Sequence, residues 1–223
     1  MYQNERKVTL MHGKTVVVTG ATNGIGKITA LELARKGAQV IIVGRNEARV
    51  HKTIDEIKAV TGQDCISGEV ADLTLMADIR DLAQRIKANY PRIDVLVNNA
   101  GALFPQRQIT AEGLEMTFAL NHMSYFLLTT LLLNTMIASA PVRIINVSSE
   151  LHSLSAVNLD NLQAEGLYNT VVHYGRTKAM NILFTRELAR PWEESPCLAA
   201  CPGGWCPPSR ERRPAFTLHH RQR

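Results

Sequence analysis

Phe, Trp and Tyr together make up only 5% of this 223-residue chain. A protein that binds nucleic acid carries an aromatic stacking platform or a basic stripe. Here Lys and Arg are instead scattered along amphipathic segments, the pattern of solvated faces. The net charge of +5 is also dilute: from Pro191 onward five Arg stand against three Glu, leaving +3 for the 190 residues before. No nucleic-acid partner is expected. Cysteine is sparse as well. Cys65 stands alone, and Cys197, Cys201 and Cys206 have no His or Cys partners at zinc-site spacings, so neither a metal site nor a disulfide framework is expected. His122, His152 and His173 are not spaced as metal ligands either. Long apolar runs are missing: Phe126 to Leu133 is interrupted by Thr129 and Thr130, well short of the roughly 20 residues of a membrane span. No transmembrane helix is expected. Met1 to Lys7 is polar, without the apolar core of a secretory signal, which favours a cytoplasmic location.

The chain does contain a regular alternation of short β-branched runs and helical periods. Lys14 to Thr19, Gln39 to Val43, Cys65 to Val70, Ile93 to Val97 and Arg143 to Val147 read as five strands. Helices are predicted between them. The first starts at Ile25, with Ile28 and Leu31 facing inward and Gly37 as its stop. The second runs from an Asn46 cap to Thr61-Gly62, and the third carries Leu75, Ile79, Leu82 and Ile86. Leu114 to Ile137 is a long apolar helix, and Tyr174 to Arg190 follows the fifth strand. Strands of about five residues separated by helices require long, right-handed parallel crossovers. The fold class is therefore α/β, a doubly wound parallel sheet whose ligand site lies at the carboxyl ends of its strands.

Each chemistry-bearing motif falls at such an end. Thr19-Gly20-Ala21-Thr22-Asn23-Gly24-Ile25-Gly26 joins the first strand to the first helix, where backbone N–H groups and the positive end of the helix dipole suit a pyrophosphate. Gly20 permits the tight turn, Gly24 lets the chain approach the ligand, and Gly26 lets helix pack on strand; Thr22, Asn23 and Ile25 complete the cradle. After the second strand comes Arg45, where an acidic residue would bind the adenosine ribose 2′-OH; an Arg suits a 2′-phosphate, so NADP is preferred over NAD. Asp72-Leu73 can hold the adenine, although Asp72 also suits a surface helix cap. In Asn98-Asn99-Ala100-Gly101 the amides can satisfy loop backbone while Ala100 and Gly101 leave space beside the cofactor. Tyr174 and Lys178, one helical turn apart, offer a proton donor beside a fixed positive charge.

Taken together, these residues resemble the short-chain dehydrogenase/reductase family, a Rossmann fold, over about residues 11 to 190. The segment around Asn121, Phe184 to Arg190 and Asn158 to Gln163 resemble its retinol dehydrogenase-like branch. The resemblance implies a catalytic set of Asn121, Ser149, Tyr174 and Lys178, with Tyr174 and Lys178 also touching the cofactor. Ser148 and Ser149 both follow the fifth strand, and alignment with the family motif, not chemistry, selects Ser149. Asn121 is expected to distort its helix and hold a water on the proton path, or else to be a buried amide satisfied by backbone. Moving the Tyr174 phenol from about 10 to about 7 needs roughly 4 kcal/mol of preferential phenolate stabilisation, expected from Lys178 together with the charge of a nicotinamide. The resemblance also implies a homo-oligomer paired through the long helices of Asn121 and Tyr174.

The pattern changes at Pro191. Residues 191 to 223 hold six of the nine Pro, both Trp and three of the four Cys, and read as an irregular tail following a dinucleotide-binding domain over residues 1 to 190. A short sixth strand at Cys197 to Cys201 is the alternative, and a change of reading frame near Arg190 would also account for the shift in composition. With the C-terminal strands incomplete, the edge of the fifth strand is expected to lie open. The leading functional expectation is an NADP-dependent oxidoreductase that interconverts an alcohol and a carbonyl on a lipophilic small molecule, the substrate class following from the branch resemblance. A catalytically inactive chain that retains dinucleotide binding is the alternative. A redox-sensing regulator fits less well, because both Tyr174 and Lys178 are present.

Overall fold

The structure, a computed structural model, describes residues 11–154 and 156–190 and the backbone of residues 198–200. Six parallel strands form one sheet in the order β3-β2-β1-β4-β5-β6: β1 (Thr15–Thr19), β2 (Gln39–Gly44), β3 (Ile66–Val70), β4 (Val95–Asn98), β5 (Arg143–Asn146) and β6 (Leu198–Ala200). The crossovers are α1 (Gly24–Arg35), α2 (Glu47–Thr61), α3 (Met76–Asn89), the pair α4 (Met116–Phe118) and α5 (Ser124–Ala138), and α6 (Thr170–Ala189).

The β-branched runs are strands because both of their faces are buried. In β1, Val16 and Val18 enter a core with Ala30 and Ala34 of α1 and Val50 and Ile57 of α2. Val17 points the other way, into a core with Ile79, Leu82 and Ile86 of α3 and Leu128 and Leu132 of α5. Each such valine or leucine contributes about 1.5–3 kcal/mol relative to an exposed one. From β1 the chain builds outward to β2 and β3, then returns to lay β4 on the other side of β1. The carboxyl ends of β1 and β4 therefore part into a crevice, the position where such sheets bind ligands.

Three expectations are corrected. Ile28 does not face inward: it and Ile25 are exposed, whereas Gly26, Ala30 and Ala34 form the buried stripe of α1. Small residues at i, i+4 and i+8 let α1 lie close to the sheet, and the larger side chains turn outward. The long apolar helix begins at Met116, with the Glu115 side chain accepting from the Phe118 amide, and it is broken by a π turn at Ala119–Met123. By length and mean hydropathy of 1.3, Met116–Ala138 passes for a membrane span, but half of that stretch is buried, with Leu128, Leu132 and Met136 packed on the sheet. Finally, the irregular reading does not hold at Leu198–Ala200, which pairs with Arg143–Ile145 and covers that edge of β5. The rest of the 191–223 reading, including the change of frame, lies outside the described residues.

Gly26 is where the sheet and α1 come closest. A Cβ there would sit 2.4 Å from Asn99 Nδ2 and 2.5 Å from the Gly20 carbonyl oxygen. Since the second neighbour is main chain, α1 would have to retreat. Gly26→Ala is expected to destabilise the protein by about 1–3 kcal/mol and to weaken dinucleotide binding with it. Urea unfolding and calorimetric titration with NADPH check both; a variant as stable as the parent would show that the helix can give way.

Candidate active site

The crevice between β1 and β4 is stitched together at its floor. Thr19 Oγ1 accepts hydrogen bonds from the amides of Asn99 (2.9 Å) and Ala100 (3.0 Å), and Asn99 Nδ2 donates to the carbonyls of Thr19 (2.9 Å) and Gly20 (3.2 Å). Gly20 has φ +63°, and a Cβ on it would meet Ala100 Cα at 2.7 Å. Above this floor α1 begins, with Asn23 as its cap: Asn23 Oδ1 accepts from the Gly24 amide at 2.6 Å. Gly24 has φ +52° and nothing within 4 Å of where a Cβ would stand, and Ile25 and Thr22 flank it. This open, amide-rich helix start fits an anionic pyrophosphate.

The other adenosine-side residues lie along the same rim. Arg45, after β2, is exposed and makes no ion pair among the described residues, while the neighbouring Asn46 caps α2 through the Arg49 amide. Asp72 Oδ1 accepts from the amide (2.9 Å) and hydroxyl (2.8 Å) of Thr74, so the carboxylate orders its own turn beside buried Leu73. Asn98 turns away from the crevice. Its Nδ2 donates to Thr129 Oγ1 (2.9 Å) and Asn146 Oδ1 (2.8 Å) under the sheet, so at the cleft only its backbone is available.

The reactive side chains come from three elements. The segment after β5 carries Ser148 and Ser149, which the geometry separates. Ser148 Oγ donates to the Lys178 carbonyl at 3.0 Å, whereas Ser149 Oγ accepts from the Leu151 amide at 3.3 Å and lies near enough to the Tyr174 phenol to pull its pKa down. Tyr174 and Lys178 both lie on α6, which Asn169 caps by accepting from the Val172 amide at 3.0 Å. Lys178 is buried, and its Nζ donates to the Val147 carbonyl at 3.1 Å. The π turn carries Asn121, whose Oδ1 accepts from the Ala102 amide (2.9 Å) and whose Nδ2 donates to the Ala102 carbonyl (3.0 Å) and to Thr177 Oγ1 (3.4 Å). The distortion expected at Asn121 is present. Its amide, however, is engaged by backbone, and its carbonyl accepts from Asn181 Nδ2 at 2.8 Å. A Cβ on Gly101 would stand 3.2 Å from Asn121 Oδ1 and 3.3 Å from Lys178 Nζ, so a side chain there would crowd both.

Electrostatically, burial pushes the Tyr174 phenol above its ordinary value, with the Ser149 hydrogen bond pulling the other way and losing. Burial drives the Lys178 ammonium down to about 8. Lys178 does not by itself outweigh burial at the phenol: Nζ lies 5.5 Å from the centre of the Tyr174 ring. With the protein's own groups alone, Tyr174 is a proton donor rather than a phenolate. The downward pull has to come with a positive charge in the cleft, which a nicotinamide brings in its oxidised form.

Several supporting groups escaped the sequence reading. Asn146 Nδ2 donates to Thr185 Oγ1 (2.9 Å), Thr185 Oγ1 donates to the Asn181 carbonyl (2.7 Å), and His122 Nδ1 lies 2.9 Å from Asn181 Oδ1. The available signal was polar residues at sheet-facing positions: Asn146 in an apolar strand, and Asn181 and Thr185 in register with Lys178.

A doubly wound sheet with a Gly-rich turn after its first strand and a Ser, Tyr and Lys set after its fifth defines a class, and comparison with known proteins gives the same one. The short chain dehydrogenase family model matches residues 14–214, and the chain belongs to that family. The match extends past Arg190, where the sequence resemblance was expected to stop. Retinol dehydrogenase 14 of Mus musculus is 42% identical over 194 residues, covering 82% of this chain and 58% of the relative. Retinol dehydrogenase 11 of Homo sapiens is 44% identical over 178 residues, covering 80% and 56%. The chain thus spans less than three-fifths of these curated relatives. Among solved structures, the Pseudomonas aeruginosa RhlG/NADP active-site complex superposes with a TM-score of 0.69 at 28% identity, covering 86% of this chain and 72% of that one.

A second buried cluster holds the start of α6. Glu115 is completely buried. Its Oε2 accepts from the Phe118 amide (2.8 Å) and lies 2.6 Å from His173 Nε2, and its Oε1 accepts from Thr117 Oγ1 (3.0 Å) and the Tyr168 hydroxyl (3.3 Å). Burial alone would raise this carboxyl, but the bonds from His173, Thr117 and Phe118 outweigh it and hold it below its ordinary value. A lowered folded value means stability that is present above the unfolded value near 4.5 and lost as pH falls through the folded one. Glu115→Gln is expected to cost about 3–5 kcal/mol at pH 7, with the gap from the parent narrowing below about pH 4. Urea denaturation at both pH values reads this directly, and a gap independent of pH would rule out an ionised Glu115.

Proposed function

We propose that the protein is an NADP-dependent oxidoreductase that interconverts an alcohol and a carbonyl on a lipophilic small molecule. The observation that carries this reading is the meeting of Ser149, Tyr174 and Lys178 beside the β1/β4 crevice, with Asn121 and Gly101 packed against them. When bound, the dinucleotide supplies the hydride for reduction or accepts it in oxidation. Ser149 and Tyr174 are within reach of one substrate oxygen and polarise it. In reduction the Tyr174 phenol gives that oxygen its proton, and in oxidation Tyr174 removes it. Lys178 supplies a positive charge beside the resulting phenolate and a donor for the nicotinamide ribose. Asn121, pinned to Ala102, fixes the wall opposite Lys178.

Exposed Arg45 supports the choice of NADP, as does the NADP in the RhlG complex. Support for an apolar substrate comes from the names of the retinol dehydrogenase relatives and from the segments framing Tyr174, which expose Leu103, Leu154, Leu159 and Leu167. The exposed Phe126 and Leu183 on α5 and α6 suit pairing with a second copy of the chain. One observation favours a second reading, a chain that binds dinucleotide without turnover: Gly20 to Gly26, Arg45 and Asp72 all precede the reactive set and do not depend on it.

Tyr174→Phe is expected to reduce NADPH consumption on an aldehyde panel by about 10²–10⁴-fold while leaving NADPH affinity by calorimetry within about twofold of the parent. A variant that turns over normally would falsify the assignment of the proton donor, and NADPH binding without turnover by the parent would select the second reading. Arg45→Ala is expected to weaken NADPH about 10–100-fold and to leave NADH unchanged. Equal loss for both dinucleotides would remove the 2′-phosphate contact.

A further inference from the structure

Among the described residues, Tyr125 is the largest fully buried polar side chain that the proposed chemistry does not use. It lies in the first turn of α5, directly after the π turn that aims Asn121, and it is 1% exposed. Its ring faces the site's cation: Lys178 Nζ lies 5.2 Å from the Tyr125 ring centre, nearer than the 5.5 Å to the ring centre of Tyr174. Its hydroxyl has no hydrogen-bond partner among the described residues.

The surroundings of Lys178 can be named element by element. α5 presents the Tyr125 ring, and α6 itself presents Tyr174. The segment after β5 presents the Val147 carbonyl, and the loop after β4 presents Gly101. Among the described residues no carboxylate pairs with Lys178, and its displacement from the ordinary lysine range is due to burial alone. A buried ammonium with one carbonyl acceptor therefore gains from aromatic faces, whose quadrupole attracts a cation within about 6 Å. Tyr174 cannot offer an unchanging ring face throughout a turnover, because its own proton moves. Tyr125 can: burial, with Tyr174 adding to it, pushes its phenol far above the ordinary range, so the ring stays neutral at working pH.

We infer that Tyr125 is a positioning residue, whose ring face, not its hydroxyl, keeps the Lys178 ammonium charged and fixed beside Tyr174. This rests on the reading of Lys178 as the cation of the active site. The ring takes no part in proton transfer. It acts through Lys178, raising the fraction of enzyme that carries the charge at neutral pH.

The test separates ring from hydroxyl and does not depend on turnover. Protein labelled with ¹³C at the lysine ε-carbons is titrated by NMR from pH 6 to 11, with the Lys178 signal assigned by its absence from Lys178→Met. The parent signal is expected to titrate near 8. Tyr125→Phe keeps the ring and should titrate within about 0.3 of the parent. Replacing residue 125 by 3,4,5-trifluorophenylalanine and then pentafluorophenylalanine preserves shape while draining the ring face. Each step should lower the Lys178 midpoint, by about 0.5 or more in total, a roughly threefold or larger fall in the ratio of charged to neutral form at a given pH. Tyr125→Leu should fall at least as far, and the fluorinated series decides the matter should that variant fail to fold. A flat fluorinated series overturns the proposal. So does Tyr125→Phe moving as far as the fluorinated proteins, or a parent Lys178 titrating at the ordinary lysine value. Normal turnover by Tyr174→Phe would remove the catalytic reading while leaving this titration as it is. A flat series beside an inactive Tyr174→Phe would remove only the part assigned to Tyr125.

Discussion

A single hydrogen bond between neighbouring strands underlies the geometry of the site. Asn98 at the end of β4 donates to Asn146 at the end of β5, and each amide reaches one step further, to Thr129 on α5 and Thr185 on α6. α5, with the π turn of Asn121 leading into it, and α6, which carries Tyr174 and Lys178, are thereby registered to the sheet and to each other through buried polar groups. Asn181 closes the circuit by donating from α6 to the Asn121 carbonyl. In a low-dielectric interior such a network is directional where an apolar core is not. It fixes the rotation of each helix, and that rotation decides which side chains face the cleft.

Much of the fold was legible in the chain because its strands lie between two cores. A parallel strand covered on both faces needs β-branched residues at successive positions, and Thr15–Thr19 and Val40–Val43 leave little else for such a run to be. Helix stops were legible for a similar reason: Gly37 and Gly62 adopt left-handed conformations where the periodic patterns end. Less legible was which side chains a helix buries. Ile28 looked like core by its chemistry, but α1 packs so closely that Gly26, Ala30 and Ala34 hold the inner face. Size, not hydrophobicity, decided the orientation. Glu115 was equally opaque, since a carboxylate just before an apolar helix reads as solvent-facing, and only the assembled fold brings His173, Tyr168 and Thr117 around it.

The candidate site divides in the same way. Motif spacing brought out Tyr174 and Lys178, and the first strand-to-helix turn brought out Gly20 to Gly26. Spacing could not separate Ser148 from Ser149, because the partners of adjacent residues in an irregular segment are set by the packing of α6: Ser148 is tied to the Lys178 carbonyl, while Ser149 acts on the Tyr174 phenol. Nor could it give the direction of the phenol's displacement. Sequence records the charge one turn away, whereas the depth of burial that opposes it is a property of the packed structure. Asn98 was assigned to the cleft by its place in the motif, yet its side chain works under the sheet.

The stitching of Thr19 to Asn99 and Ala100 has an evolutionary consequence. With hydroxyl, amides and carbonyls all paired across β1 and β4, the bottom of the cleft cannot widen without giving up several bonds at once. Descendants of this scaffold can change more freely around the mouth, where the segments after β4 and β5 meet through exposed contacts such as Arg107 to Gln163. Change at the mouth can thus accumulate without disturbing the bonded bed between β1 and β4.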